Sequence, residues 1–136
     1  MREIKFRGKR FDNGKWESGD LLENQGRNFI YHATSESTIE DNDDGRIVVV
    51  AVEVDPATVG QYTGFQDKNT RKVYEGDVLT DKFESVGVVE WQNGCFVVNF
   101  GDVDVFQISD CFDDTYQMWV IGNIHDGPEF VLFHSL

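Results

Sequence analysis

The feature that most constrains this chain is an Asn-Gly pair at residues 93–94, which stands between two short runs of alternating apolar residues. Asn-Gly favours a two-residue type I′ turn, because both central residues of that turn adopt positive φ. With this loop Trp91 faces Phe96, and large apolar side chains of both strands gather on one face, which predicts Trp91 in the core. A shift of one residue would scatter these side chains over both faces, so the sequence predicts a specified register.

A third strand is expected to follow this hairpin. A second tight turn at residues 101–102 would place Val103 and Val105 on the same apolar face. Residues 86–108 therefore predict a three-stranded meander.

The N-terminal residues repeat this arrangement around an Asn-Gly pair at residues 13–14. A two-residue loop there pairs Phe11 with Trp16 and places Arg10 opposite Glu17. Opposite charges at facing positions stabilise an antiparallel pair. The segment therefore predicts a second hairpin with an ion pair across it.

The rest of the chain also favours strands over helices. Alanine is scarce while valine, isoleucine and phenylalanine are abundant, and these three residues prefer strands. The run 47–54 is apolar on both faces, which predicts a central strand or one that lies under an interface. A single helical turn is predicted to begin at Asp55 and Pro56 and to end at Gly60. The polar, acidic residues 34–46 predict a mobile loop. Further strands are predicted at residues 28–33, 77–83 and 119–124, and a second short turn near residues 126–129.

These elements predict an all-β fold, mostly strands with one or two short helical turns, built from hairpins into a barrel-like or sandwich-like domain. The 136 residues are long enough for one domain, which the sequence predicts over residues 1–136. Residues 73–124 are able to close a small five-stranded barrel within it.

The charge distribution constrains the partners. The chain has 12 Lys and Arg against 25 Asp and Glu, a net charge of −13, so we expect no direct nucleic-acid binding. Residues 1–15 carry a local charge of +4, which leaves −17 on the rest. The acidic residues either form a solvated surface, or face a basic partner, or receive the basic N-terminal strand of a neighbouring subunit in a homo-oligomer.

Two acidic groups are the candidate partner surface. If they adjoin, they would form a negative stripe that imitates a phosphate backbone and attracts a basic nucleic-acid-binding site. The alternative is two solvated loops on opposite sides. The first group includes Glu40, Asp41, Asp43 and Asp44, and the second includes Asp102, Asp104, Asp110, Asp113 and Asp114.

Known metal-binding and catalytic motifs do not match this sequence. Residues 40–45 superficially resemble an EF-hand calcium loop, but Ala51 stands where the bidentate glutamate is required. Cys95 and Cys111 are too far apart for a Cys-x-x-Cys zinc pair, and two cysteines are too few for a disulfide framework. Nucleophile elbows and phosphate loops do not occur in the sequence. We therefore predict no catalytic residue, no cofactor and no metal ligand.

The N-terminus lacks the apolar core of a signal peptide, and no apolar run approaches the ~20 residues of a membrane span. The sequence predicts a cytoplasmic protein without membrane contact.

Five segments carry a pattern in a fixed order, namely residues 1–7, 55–65, 67–69, 74–77 and 120–124. Taken in order, they resemble the successive signatures of the YopX family, a family of small phage and prophage proteins. The resemblance implies a phage or prophage origin, a location in the host cell and a β-rich fold, but no activity or cofactor. Residue 70, a glycine in the family, is Thr70 here. The family often has Ala-Trp-Asp where residues 8–10 are Gly-Lys-Arg.

The signature residues are expected to be mainly structural, with the glycines at tight bends and Asp77 bonding amides in the turn after Gly76. The alternative is that residues 61–64 and 74–77 meet to form a ligand or subunit contact. The residues concerned are Asp55, Pro56, Gly60, Tyr62, Gly64, Tyr74, Gly76, Asp77 and Gly122.

Two classes of function follow. The first is a non-enzymatic accessory protein that binds a host or phage protein. The second is a self-assembling, scaffold-like homo-oligomer, and an enzyme is the most distant alternative.

Overall fold

The computed structural model describes residues 3–33, 37–101, 105–113 and 115–126. These residues form thirteen strands and two 3₁₀ turns, with no α-helix among them. All of the strand pairings are antiparallel, which confirms the all-β fold class. The chain divides into two compact units, Met1–Gln61 and Tyr62–Leu136.

The first unit contains one sheet and one separate two-stranded ribbon. The sheet has the strand order β6-β3-β2-β1-β7, and the ribbon is formed by β4 and β5. In this sheet β1 lies between β2 and the start of β7, where Phe6 pairs with Gln61. The strands are β1 (Phe6–Lys9), β2 (Trp16–Asn24), β3 (Arg27–Tyr31), β4 (Thr38–Asp41), β5 (Ile47–Val50), β6 (Val52–Val54) and β7 (Gly60–Gln66), which continues into the second unit.

The β1–β2 hairpin forms with a longer loop than the sequence predicts. Lys9 pairs with Trp16, and the Arg10 amide bonds the Lys15 carbonyl at 2.9 Å, so the loop spans residues 11–14. The predicted register is therefore wrong by two residues.

The reason for the longer loop lies in the Asn-Gly pair. Gly14 has a φ of +70°, but the Asn13 side chain accepts the Lys15 amide proton at 2.9 Å, and this replaces the type I′ turn. A shift of two residues keeps every side chain on its face. The ion pair between Arg10 and Glu17 is accordingly confirmed, with Nη1 and Oε1 3.1 Å apart.

The apolar run 47–54 divides into two strands. Residues Val52–Val54 pair with β3, and Val54 is fully buried. Residues Ile47–Val50 instead pair with β4 and are exposed. The predicted central strand is therefore wrong for β5, and the predicted loop at residues 34–46 is wrong for β4. Both differences have one cause, because β4 and β5 hydrogen-bond to each other in a ribbon that is separate from the main sheet.

A single helical turn follows β6, as predicted. It is a 3₁₀ turn over Pro56–Thr58, and the Asp55 side chain caps it by accepting the Ala57 amide proton. The Thr58 hydroxyl oxygen accepts the Lys9 amide proton at 2.8 Å, which ties this turn to β1. The prediction for Gly60 is wrong, because Gly60 is the first residue of β7 rather than a left-handed residue that ends the turn.

The second unit is built on a five-stranded sheet in the order β12-β11-β10-β9-β13. The end of β7 pairs with β8, outside this sheet. A 3₁₀ turn, Ile108–Cys111, follows β12, and the core beneath the sheet includes Leu79, Val89, Val98 and Met118. The strands are β8 (Lys72–Tyr74), β9 (Asp77–Thr80), β10 (Val86–Gln92), β11 (Cys95–Asn99), β12 (Val105–Gln107) and β13 (Trp119–Asn123).

The β10–β11 hairpin has the predicted loop and register. Gln92 pairs with Cys95 and Trp91 with Phe96, while Asn93 and Gly94 both have positive φ, +52° and +83°. Trp91 is nevertheless 52% exposed, so its predicted place in the core is wrong. The hairpin ends just beyond it, and its ring packs edge-on against one neighbour, the Phe96 ring, at 4.8 Å.

The third strand of the meander is present, but its register differs from the prediction. Phe106 pairs with Val98, and Val105 pairs with Asn99. This is a shift of one residue from the predicted tight turn, and it moves Val105 to the opposite face. Val103 lies outside the described residues.

Gly94→Ala tests the β10–β11 turn. A Cβ at residue 94 would have nothing within 4 Å of it, so the change adds only the strain of a left-handed L-residue, about 1–2 kcal/mol of unfolding free energy. Urea denaturation of Gly94→Ala and Gly94→Asn measures it. Because Asn tolerates positive φ, Gly94→Asn should lose clearly less stability, and equal losses in the two variants would contradict a type I′ turn.

Candidate functional site

The signature segments 61–64 and 74–77 lie side by side where residues 62–64 enter the second unit. Tyr62 pairs with Tyr74 across β7 and β8, and their ring centroids are 5.7 Å apart. Both tyrosines are buried, and the Thr63 hydroxyl donates a hydrogen bond to the Val73 carbonyl at 2.8 Å. The contact between these segments is therefore an interior one that joins two strands.

Asp67 is a buried carboxylate that accepts three backbone amide protons. Its Oδ1 accepts from Asn69 and Arg71, both at 2.9 Å. Its Oδ2 accepts from Val120 at 3.0 Å, and Asp67 thereby holds the β7–β8 turn against β13. Each bond satisfies an amide that would be costly to leave unpaired in the interior.

Asp81 forms the same kind of turn after β9. Its Oδ1 accepts the amide protons of Phe83 and Ser85, both at 2.9 Å, two and four residues further along the chain as at Asp67. Its Oδ2 accepts the Tyr116 hydroxyl proton at 2.5 Å. Both turns place a residue with positive φ at their third position after the aspartate, Thr70 at +64° and Glu84 at +65°.

Asp77 is the third buried carboxylate of this unit. Its Oδ2 accepts the Tyr74 amide proton at 2.8 Å, so it bonds a backbone amide of the segment just before it. The expected bonds to amides after Gly76 stay a prediction. Gly76 has a φ of +92°, and its amide donates to the Val89 carbonyl at 2.8 Å. Gly64 also has a positive φ, and Gly122 lies at a shift in the β13–β9 register.

Hydrogen bonds control the ionisation of Asp81. Burial alone would raise its pKa, but the bonds from Tyr116, Ser85 and Phe83 outweigh burial and lower the pKa below its ordinary value. Burial and the bond to Asp81 raise the pKa of Tyr116. Burial, with nearby carboxylates, raises the pKa of the Cys111 thiol to about 11, which leaves it protonated and unreactive at neutral pH.

The exposed ribbon of the first unit, residues 38–50, is the candidate interaction surface. It exposes five large aliphatic side chains, each between 41% and 65% accessible. On one face Ile39 pairs with Val49, and on the other Glu40 pairs with Val48. The aliphatic side chains are Ile39, Ile47, Val48, Val49 and Val50.

The first acidic group lies on the same ribbon. Glu40 and Asp41 belong to β4, whereas Asp43 and Asp44 lie in the turn before β5. All four are exposed, and Asp44 Oδ2 pairs with Arg46 Nε at 2.6 Å. The apolar side chains concentrate on β5 and the carboxylates on β4 and the turn.

The second acidic group lies in the second unit. Asp113 is exposed, and its Oδ1 accepts the amide protons of Thr115 and Tyr116. The Thr115 bonds are the largest of the effects that lower its pKa. Asp102, Asp104 and Asp114 lie outside the described residues, and the negative stripe stays a prediction.

Metal and membrane features can be assessed for the part of the chain that the structure describes. In that part, no three His, Cys, Asp or Glu side chains gather as a metal-ion site would require. Nor does it contain a helix with the length and hydropathy needed to cross a membrane.

Comparison with known proteins assigns the family. The family model described as YopX protein matches residues 5–131. The chain belongs to the YopX family. Its structure is similar to the crystal structure of protein EF1440 from Enterococcus faecalis, with a TM-score of 0.63 and 22% identity over 96% of this chain and 99% of that chain. At this identity the likeness shows the fold alone. No curated protein matches the chain.

The signature residues of this YopX chain thus have structural contacts, whereas the ribbon presents five exposed aliphatic side chains on two paired strands. Sequence reasoning missed the turns at Asp67 and Asp81. Both begin with Asp-Lys directly after a strand, at residues 67–68 and 81–82, and this shared pattern was the available signal.

Asp81→Asn should destabilise the protein by about 1–3 kcal/mol at pH 7, because a neutral amide accepts the three bonds poorly. The native pKa of Asp81 is lowered, so its contribution is complete above the unfolded pKa of ~3.9 and is lost as pH falls through the native pKa. Urea denaturation at pH 7 and in acid measures the free energy of unfolding of both proteins. The difference between wild type and variant should shrink in acid. A difference that does not change with pH would contradict the role of the ionised carboxylate.

Thr70→Gly should stabilise the protein, by up to about 1 kcal/mol. A β-branched residue with positive φ is strained, and glycine removes that strain at some cost in chain entropy. Thermal unfolding measures the change. Thr70→Val, which keeps the β-branch, should show no gain, and a loss of stability in Thr70→Gly would contradict the argument.

Proposed function

We propose that this protein is a phage or prophage accessory protein that acts by binding another protein, of host or phage origin, through its exposed ribbon. The observation that carries the proposal is the exposure of five large aliphatic side chains on residues 38–50. Contiguous apolar surface rimmed by polar groups is typical of protein interaction sites. Membership of the YopX family supports the phage or prophage setting.

The form of the ribbon supports strand addition as the mode of binding. A partner strand that pairs with an exposed sheet edge gains main-chain hydrogen bonds, and alternate side chains supply specificity. Val48 and Val50 point to one face of β5, while Ile47 and Val49 point to the other. A strand added along β5 would therefore contact apolar side chains on both faces.

The charges of the ribbon add a preference to this mode. Glu40, Asp41, Asp43 and Asp44 outnumber the single Arg46. Carboxylates at the rim of an interface accelerate encounter with a basic partner and make the rate sensitive to salt. Self-assembly is the alternative function, and it would use the same apolar surface.

The contacts of the buried acids support a non-enzymatic role for them. The carboxylates of Asp67, Asp77 and Asp81 accept protons from backbone amides. Their replacement is therefore expected to change stability first.

Val49→Lys should abolish capture of the partner, because it places a charge in the middle of the apolar strand. Affinity purification from infected host cells, with mass spectrometry and then binding of the purified partner, measures the loss. Phe11→Lys is the matched control, since Phe11 is 61% exposed, lies in the β1–β2 loop, and receives the same change of charge.

The combined change of Asp41, Asp43 and Asp44 to Asn tests the contribution of the carboxylates to binding while it leaves the aliphatic side chains of the ribbon unchanged. Slower association with the purified partner, and less sensitivity to salt, would support a basic partner. Undiminished binding by Val49→Lys would contradict the proposed surface.

A further inference from the structure

We propose that the free edge of β5 pairs with β5 of a second copy of this chain, antiparallel and about a two-fold axis that passes by Val49. The inference rests on the proposed function in taking the ribbon as a docking surface. It adds a second copy as an occupant of the β5 edge, which a strand of the partner protein would have to displace. The result is a four-stranded sheet in the order β4-β5-β5-β4, shared by two copies.

The edge of β5 lacks the features that protect natural sheet edges. Proteins protect edge strands with charged residues, proline, bulges or very short strands, because an open edge is a template for pairing. Within the described residues β5 has one strand neighbour, β4. Its sequence, Ile-Val-Val-Val, has no charge, no proline and no glycine.

The other edge strands of the described residues differ from β5 in this respect. Strand β6 carries Glu53, which is paired with Arg27 at 2.8 Å. Strand β8 carries Lys72 and has three residues, and β13 has an irregular register at Gly122. Strand β12 likewise has no charge, proline or glycine, but it is shorter, with three residues paired to β11. The unprotected strand is therefore the one that lies on the exposed ribbon.

Symmetry limits the possible registers. An antiparallel pair of identical strands about a two-fold axis normal to the sheet places one residue opposite its own copy. With Val49 at the axis, Val48 faces Val50 of the partner subunit and Ile47 faces Ala51 of the partner subunit. Each of these pairs is apolar. An axis at Val48 would place Arg46 opposite Val50 of β5 itself, whereas with the axis at Val49 the residue opposite Arg46 is Val52, beyond the end of β5.

The pairing also extends the apolar surface of the ribbon. Ile39 pairs with Val49 within one copy, so the two-fold axis joins two such pairs into one row across all four strands. Cross-strand pairs of β-branched side chains stabilise a sheet. The row brings together, on one face, side chains that a single copy presents separately, and Val49 gains lateral contact with its own copy.

Electrostatics favours this antiparallel arrangement for a chain of net charge −13. The carboxylates of Glu40 and Asp41 lie on the outer strands, and three strand spacings separate those strands by about 14 Å. This exceeds the ~8 Å screening length at physiological salt. The turns that carry Asp43 and Asp44 lie at opposite ends of the sheet, whereas a parallel pair would place them side by side.

The area of the surface sets the expected affinity. Five side chains that are each about half exposed offer on the order of 400 Å² per copy, the size of a large patch on a monomer. A standard interface buries about 800 Å² per partner. The dimer should therefore be reversible and depend on concentration, with a dissociation constant of roughly micromolar order.

Sedimentation equilibrium of the purified full chain tests the dimer. The wild-type protein should pass from monomer to dimer between about 1 and 100 μM, a range that brackets micromolar dissociation. Val49→Lys should remain a monomer throughout, because two lysines would meet at the axis. The Val49→Lys change makes the net charge of the chain less negative, so charge repulsion between whole copies cannot explain a loss of the dimer. The control variant Phe11→Lys should dimerise like the wild type.

Cysteine cross-linking tests the register, in a Cys95→Ser background that removes the half-buried native thiol. Val49→Cys should form a disulfide-linked dimer on mild oxidation, because opposite residues have Cα atoms about 4.5–5.5 Å apart. Val48→Cys should not, because its copy lies diagonally across at more than about 7 Å. Cross-linking through Val48→Cys instead would overturn the pairing at Val49.

The remaining outcomes separate this inference from the proposed function. A wild-type protein that stays monomeric, or that forms polydisperse aggregates, overturns the inference. If such a monomer still loses its partner on Val49→Lys, the proposed function stands without the dimer. If Val49→Lys breaks the dimer but leaves partner capture intact, the inference stands and the proposed docking of a partner on the ribbon is wrong.

Discussion

The second unit depends on carboxylates that are buried with their backbone hydrogen bonds already made. Asp67 and Asp81 each bond the amides two and four residues further on, and each then reaches across to a distant segment, β13 or Tyr116. A buried charge is costly unless hydrogen bonds surround it. The same bonds that make the charge tolerable also determine where β7 and β9 end and how the next strand begins.

Local chemistry made one hairpin predictable and left the other uncertain. At Asn93-Gly94 both residues adopt positive φ, so the turn type, the loop length and the register all follow from two residues. At Asn13-Gly14 the asparagine side chain bonds the Lys15 amide instead. A short polar side chain offers the backbone an alternative partner, and the sequence alone does not show which of the two forms.

The candidate surface was harder to predict, because burial depends on what packs against a strand. The apolar residues 47–54 predict one strand that is central or lies under an interface, yet Ala51 separates a largely covered β6 from an exposed β5. The partner of β5 is β4, whose residues read as an acidic loop. Exposure of β5 therefore follows from its pairing with β4 in a separate ribbon. Hydrophobicity by itself does not decide between a central strand and one under an interface.

The position of β1 has a consequence for the order in which the first unit can form during synthesis. This strand pairs on one side with β2 at once, but its other neighbour, at Gly60 and Gln61, is more than fifty residues away. A growing chain that has not yet reached β7 leaves one edge of β1 without its partner strand. The first unit therefore stays incomplete on the ribosome until its last residues emerge, and its closure coincides with the start of the second unit.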